Sequence, residues 1–218
     1  MKCSAGHARR RYLTAGFVRR YGETVPGSAK LQRQTDDELI GRVRRGETRH
    51  FAELVQRYQD PVYGMTLRFI GSAVDAEDLA QEAFLRAYRG LEGFKGDSRF
   101  STWLYRITWN LCADWLRRNR RPGRAAMTID DAGGVPDGRV DVEEGYLAAE
   151  EKREVREALD RLDAKYRNVL ILLYYQKLSY DQIADVLDVP LKTVETRLYR
   201  ARKLLKETLQ RAGVGGAG

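Results

Sequence analysis

Residues 179–205 carry the pattern that most restricts the fold: two helices driven together by a three-residue break. Ser179 and Gln182 form a capping box, in which a hydroxyl and a returning amide satisfy orphan N–H groups at a helix start. It predicts a short helix through Leu187, with Ile183 and Leu187 facing inward and small Ala184 letting another helix approach closely. Asp188, Val189 and Pro190 end it, since aspartate tolerates the left-handed turn conformation and proline suits the first position of a following helix. In that next helix Val194, Leu198, Ala201 and Leu205 recur at steps of 4, 3 and 4 and form an inner face. Its other face displays Lys192, Thr193, Glu195, Thr196, Tyr199, Arg200 and Lys203. A purely structural hairpin needs no such face. Hydroxyls, a phenol and arginines are the groups that reach base edges and phosphates in a major groove, so the pair reads as a DNA-reading helix-turn-helix. For Arg197, Arg202 and Lys206 two readings stay open: holding the DNA backbone, or solvating the helix.

The rest of the chain is punctuated in the same helical manner. Thr35 and Glu38 make a second capping box, opening a helix with Leu39, Ile40 and Val43 on it. After Gly46, Phe51, Leu54, Val55, Tyr58 and Val62 form one helical stripe. Asp75 is expected to cap a third helix, with Glu77 and Asp78 favourably placed near its positive end and Leu79, Ala83, Phe84, Ala87, Tyr88 and Leu91 as its apolar positions. Gly90–Ser98 reads as a loop, and a long helix from Ser101 to about Arg120 is expected to bury Leu104, Ile107, Leu111 and Trp115. No useful length shows strand alternation. The expected fold is all-α, with two small helical domains (35–120 and 147–212) joined by a flexible acidic linker (121–146), and the C-terminal domain a helix-turn-helix. Six acids oppose two arginines between Pro122 and Ala149, and the 26-residue linker reaches about 90 Å when fully extended. Residues 1–34 read as a basic, mobile extension and 213–218 as a disordered tail.

The net charge of +8 belongs to that extension: residues 1–34 hold eight basic groups against Glu23 alone, while residues 35–218 hold 31 basic and 30 acidic. A nucleic-acid reading must therefore rest on local clusters. One runs from Phe94 to Arg121. Phe94, Phe100, Trp103, Tyr105 and Trp109 interleave with Lys95, Arg99 and Arg106, and Arg117, Arg118, Arg120 and Arg121 follow. Aromatic faces beside a cationic track suit unstacked single-stranded bases, at roughly 1–3 kcal/mol per stacked base. Core packing competes for each aromatic taken singly, above all for Phe100 and one tryptophan, but it explains the arginine run poorly. The other cluster, Asp75, Glu77, Asp78, Gln81 and Glu82 with Phe84 and Leu85, taken alone reads as a solvated face.

Taken in order, Asp75–Tyr88, Phe94–Asn110 and Tyr166–Leu205 resemble the bacterial extracytoplasmic-function (ECF) sigma factors over about residues 35–212. The resemblance implies a subunit that binds core RNA polymerase, recognises −10 and −35 promoter elements and helps open the DNA. It implies that Asp75, Asp78, Gln81, Glu82 and Leu85 dock on the clamp helices of the largest polymerase subunit. Phe94, Ile107 and Asn110 fall where similar proteins form a pocket for a flipped −10 base, and Trp103 matches an aromatic of the strand-opening segment, with Arg117 and Arg118 beside them. Thr196, Tyr199 and Arg200, with Lys192, Thr193 and Glu195, fall on the −35-reading face, and the helices around Tyr166–Tyr175 would meet the flap of the second-largest subunit. Relatives commonly have an anti-sigma protein as a further partner. Many carry a basic residue where this chain has Glu195 and glycine where it has Lys192. Glutamate accepts from cytosine's amino group, so the −35 sequence read here is expected to differ.

Other classes fare worse. Two histidines, no phosphate-binding glycine loop and no nucleophile elbow leave no catalytic residue, cofactor or metal to expect. Cys3 with His7 lacks a second ligand pair, and Cys112 reads as a small buried hydrophobe in a reducing, cytoplasmic and nucleoid-associated protein. The longest apolar run, Val169–Tyr175, is too short for a membrane span. A stand-alone helix-turn-helix regulator is the alternative; it accounts for residues 163–212 and leaves Asp75–Arg121 idle.

Overall fold

The computed structural model describes residues 34–119 and 154–211, which fall in two compact units. Every regular element among the described residues is helical. The expected N-terminal extension, linker and C-terminal tail, like Cys3 and His7, lie outside them.

In the first unit, α1 (Asp36–Arg44) starts at the predicted box: Thr35 Oγ1 accepts from the Glu38 amide, and Glu38 Oε2 accepts from the Thr35 amide at 2.7 Å. A 3-10 turn (Thr48–His50) leads into α2 (Phe51–Ile70). α2 runs past the Phe51–Val62 stripe and straight through Pro61. A proline inside a helix removes one ladder bond; burial of Phe51, Leu54 and Val55 before it and of Val62, Met65, Leu67, Phe69 and Ile70 after it outweighs that loss. Gly71, at φ +79°, ends α2 with its N–H on the Leu67 carbonyl.

α3 (Ala73–Gly90) begins earlier than expected, and its cap is Ser72, whose Oγ accepts from the Asp75 amide; Asp75 is the third helical residue. The reason lies in Gly71, whose left-handed turn delivers the next residue to the cap. Its buried face is Ala76, Ala80, Ala83, Phe84 and Ala87, while Leu79 and Tyr88 are only half-buried. Alanines permit close packing against α2, where buried Thr66 donates to the Ala76 carbonyl at 2.9 Å. After a second 3-10 turn (Leu91–Gly93) and an exposed loop, α4 (Phe100–Asn119) packs on α2 and α3. Leu104 and Leu111 are buried as expected, but Ile107 and Trp115 are only half-buried. Thr108 and Cys112 occupy the inner stripe instead, and the Thr108 hydroxyl is satisfied by the Leu104 carbonyl at 2.8 Å. Burial pushes the Cys112 thiol up to about 12, so it stays protonated at neutral pH and fills space as a small hydrophobe.

In the second unit, helical residues 154–160 precede α5 (Ala164–Tyr174), α6 (Tyr180–Leu187) and α7 (Leu191–Arg211). Both α5 and α6 pack on α7 around Val169, Leu172, Ile183, Val186, Val194 and Leu198. Half-exposed Leu205 lies beyond that core, and α7, at 21 residues, outlasts its inner stripe. The capping box of α6 is formed as predicted, with the Ser179 amide on Gln182 Oε1 at 2.8 Å, and Asp188 ends α6 at φ +53°. Pro190 sits one residue before α7 instead of in its first position; its carbonyl accepts from the Thr193 and Val194 amides. Ser179→Ala is expected to destabilise this unit by about 1 kcal/mol. Urea unfolding checks it, and an unchanged midpoint would show the cap to be redundant.

Candidate functional site

On α7 the packing that buries Val194, Leu198 and Ala201 turns Lys192, Glu195, Thr196, Tyr199, Arg200 and Lys203 outward, with Thr193 half-buried at their edge. Tyr199 is 73% exposed, which for a large aromatic ring points to a contact surface outside the fold. Thr196 Oγ1 donates its proton to the Lys192 carbonyl at 2.8 Å, so the hydroxyl presents acceptor lone pairs outward. Lys192 Nζ lies 3.2 Å from Glu195 Oε2; the pair tempers both charges at the start of this exposed face. Lys165 and Tyr166, from the first turn of α5, join Lys192, Thr193, Thr196, Arg197 and Arg200 around a cleft of about 290 Å³. The sequence pattern places neither residue on this face, because 25 or more positions separate them from α7 and only the packing of α5 on α7 unites them. Arg202 donates to the hydroxyls of Tyr174 and Tyr180, both at 3.2 Å, and braces α5 and α6 against α7.

The carboxylates of α3 share a face because a helix returns every three to four residues. Asp75, Asp78, Gln81, Glu82 and Leu85 lie along it, Asp78 exposed and the other four half-buried. Glu82 is paired with Arg86 at 2.8 Å. Val74, 74% exposed, stands beside Asp78 and adds an apolar element that the sequence pattern did not single out.

The aromatic cluster divides into packing and display. Phe100 and Phe94 are 2% and 6% exposed. Ring centroids lie 5.0 Å apart for Phe94 and Trp103, 5.8 Å for Phe100 and Trp103, and 5.6 Å for Tyr58 and Phe100. Trp109 packs edge-on against Phe69 at 5.2 Å. Trp103 is half-buried, and a side chain at Gly90 would meet its ring at 3.4 Å. Trp103, Ile107, Asn110 and Arg117 follow at steps of 4, 3 and 7, so they run along one side of α4. Ile107 is half-buried and Asn110 exposed. Arg117 is held by Asp114 at 2.6 Å, which offsets part of the arginine run; Arg118 is exposed. No spacing or motif points to Arg44, at the end of α1, which donates to the carbonyls of Leu91 at 2.9 Å, Glu92 at 3.5 Å and Phe94.

Among the described residues no three histidines, cysteines or carboxylates gather as a metal site, and no helix is long and apolar enough to cross a membrane.

Residues 54–122 match the family described as Sigma-70 region 2, and residues 152–205 that described as Sigma-70, region 4. The chain is 39% identical over 186 residues to the RNA polymerase sigma-H factor of Pseudomonas aeruginosa, covering 83% of this chain and 96% of that protein. It is 35% identical over 178 residues to the ECF RNA polymerase sigma factor SigW of Bacillus subtilis, covering 78% and 95%. The structure of CnrH in complex with the cytosolic domain of CnrY is similar at a TM-score of 0.60 and 28% identity, over 79% of this chain and 96% of that one.

Proposed function

Because the chain belongs to the ECF sigma factors of bacterial RNA polymerase, we propose that its two helical units divide promoter recognition between them. As a member of that family it binds core RNA polymerase and directs promoter-specific transcription initiation. It acts by binding and not by catalysis, in the cytoplasm on nucleoid DNA.

Residues 35–120 form the unit for the clamp helices and the −10 element, residues 147–212 the unit for the −35 element, and 121–146 the tether. On α3, Asp75, Asp78, Gln81, Glu82 and Leu85 meet the clamp helices, with Val74 buried on docking. On α4, Trp103 supports the opened strand and Ile107 and Asn110 line the base pocket with Phe94, whose buried ring forms its wall; Arg117 and Arg118 hold phosphates. On α7, Lys192, Thr193, Glu195, Thr196, Tyr199 and Arg200 read the −35 duplex, and half-exposed Tyr174 and Tyr175 are offered to the flap. A protein partner, as CnrH has in the cytosolic domain of CnrY, is proposed here as an anti-sigma factor.

The observation that carries this reading is the exposed polar face of α7, with Tyr199 at 73% and Arg200 beside it, on a helix whose opposite side buries Val194, Leu198 and Ala201 in the core. Arg200→Ala is expected to weaken −35 duplex binding by about 1–3 kcal/mol. Full affinity in a titration of that variant would remove Arg200 from the reading face. The broader test is in-vitro transcription by core polymerase on randomised promoters. Added protein should impose two conserved elements on the transcribed templates, and no gain in selectivity would overturn the proposal.

A further inference from the structure

Arg44 ends α1, and its guanidinium is spent on backbone 47 to 50 residues away: both Nε and Nη2 donate to the Leu91 carbonyl, and Nη2 also reaches Glu92 and Phe94. Carbonyls just past a helix end have lost their intrahelical donors and need others. Here α3 stops at Gly90, the 3-10 turn Leu91–Gly93 closes through the Phe94 amide on the Leu91 carbonyl, and Arg44 supplies the remaining donors. Arginine suits this task because its planar fork presents several N–H groups at fixed angles; lysine offers a point charge.

What the fork holds is the root of the exposed 95–99 loop. Phe94 leaves the 3-10 turn with extended backbone, and its ring then wedges against Trp103 at 5.0 Å and Phe100 at 6.1 Å. Two residues on, Gly96 turns the chain at φ +81°. The Phe94 ring therefore has its place fixed from two sides, by the α4 aromatics and by the guanidinium on its own carbonyl. Releasing the second lets the ring retreat from Trp103, on the side of α4 that also carries Ile107 and Asn110.

We infer that Arg44 is a positioning residue for −10 recognition, setting the Phe94 turn so that the base pocket keeps its shape without Arg44 touching DNA. The inference rests on the assignment of Phe94, Ile107 and Asn110 to that pocket. Arg44 sits on α1, whereas Phe94 follows the 3-10 turn and Ile107 and Asn110 lie on α4, so charge and clamp are separable by substitution.

The test uses the full chain with core polymerase and single-stranded oligodeoxynucleotides randomised over the −10 element. Arg44→Ala should lower the preference for the selected over the substituted base by about tenfold, the scale of lost hydrogen bonds to a charged group. Arg44→Lys should not restore that preference, and amide exchange in residues 94–99 should quicken in both variants. Affinity for a −35 duplex and the salt dependence of −10 binding should stay at wild-type values. Wild-type base preference in Arg44→Ala overturns the inference. So does a salt slope lowered by about one and restored by lysine, which would make Arg44 a phosphate ligand. A wild-type protein with no base preference overturns the pocket assignment itself, and this inference with it. Should Arg44→Ala unfold the first unit, visible as lost polymerase binding, Arg44→Gln keeps a neutral donor for one carbonyl and carries the same comparison.

Discussion

Phe100→Ala is expected to remove about 3–5 kcal/mol from the first helical unit and nothing from the second. Phe100 is 2% exposed and touches the rings of Tyr58, Phe94 and Trp103, so truncation leaves a cavity whose walls are large rings on three separate segments. Such walls collapse poorly, which places the cost towards the upper end of the range. Domains are stable by only about 5–15 kcal/mol in total. The variant's first unit should therefore melt well below the wild-type temperature, while residues 154–211, a separate compact unit, keep their own transition. Calorimetry of the full chain checks this, with −35 duplex binding as the readout of the second unit. One transition shifting as a whole would mean that the units unfold together. A loss under 1 kcal/mol would mean that the cluster repacks.

The same residue shows where sequence reasoning reaches and where it stops. Local signals came through intact: both capping boxes, the left-handed Asp188 and the inner stripe at Val194, Leu198 and Ala201 depend on neighbours a few positions away. Phe100 as core was legible too, because an aromatic at the start of a helical stripe has few other uses. Helix limits set by a competing cap were not: with Ser72 three residues before Asp75, two good caps were available, and the turn at Gly71 chose between them. The inner stripe of α4 holds at Leu104 and Leu111 but not at Ile107 and Trp115, in whose stead Thr108 and Cys112 are buried. Ile107 is more apolar than Thr108, yet threonine can return its proton to the Leu104 carbonyl and be buried at little cost. Residues joined only by packing, such as Arg44 with Phe94 or Lys165 with Arg200, leave no spacing in the sequence to read.

Asp78→Arg is expected to abolish holoenzyme assembly at working concentrations. Asp78 is exposed on α3, one turn from Val74 and one turn from Gln81 and Glu82, and it sits past the first helical turn, where the dipole contributes little. Its replacement should therefore alter the unit's stability by no more than about 0.5 kcal/mol, the ordinary range for surface positions. At an interface the arithmetic changes. A carboxylate desolvated against a basic clamp surface and then reversed in sign loses its own pairing and leaves the partner charge unpaired, typically about 2–5 kcal/mol. That corresponds to a drop in affinity between about thirtyfold and several thousandfold. Glu82→Arg should do less, because Glu82 already shares its charge with Arg86 at 2.8 Å. The ordering separates docking by this face from a general effect of net charge, to which both substitutions contribute equally. Co-purification with core polymerase at two salt concentrations gives both affinities. If Asp78→Arg assembles as the wild type does, or if the two variants lose affinity equally, α3 is not the docking face.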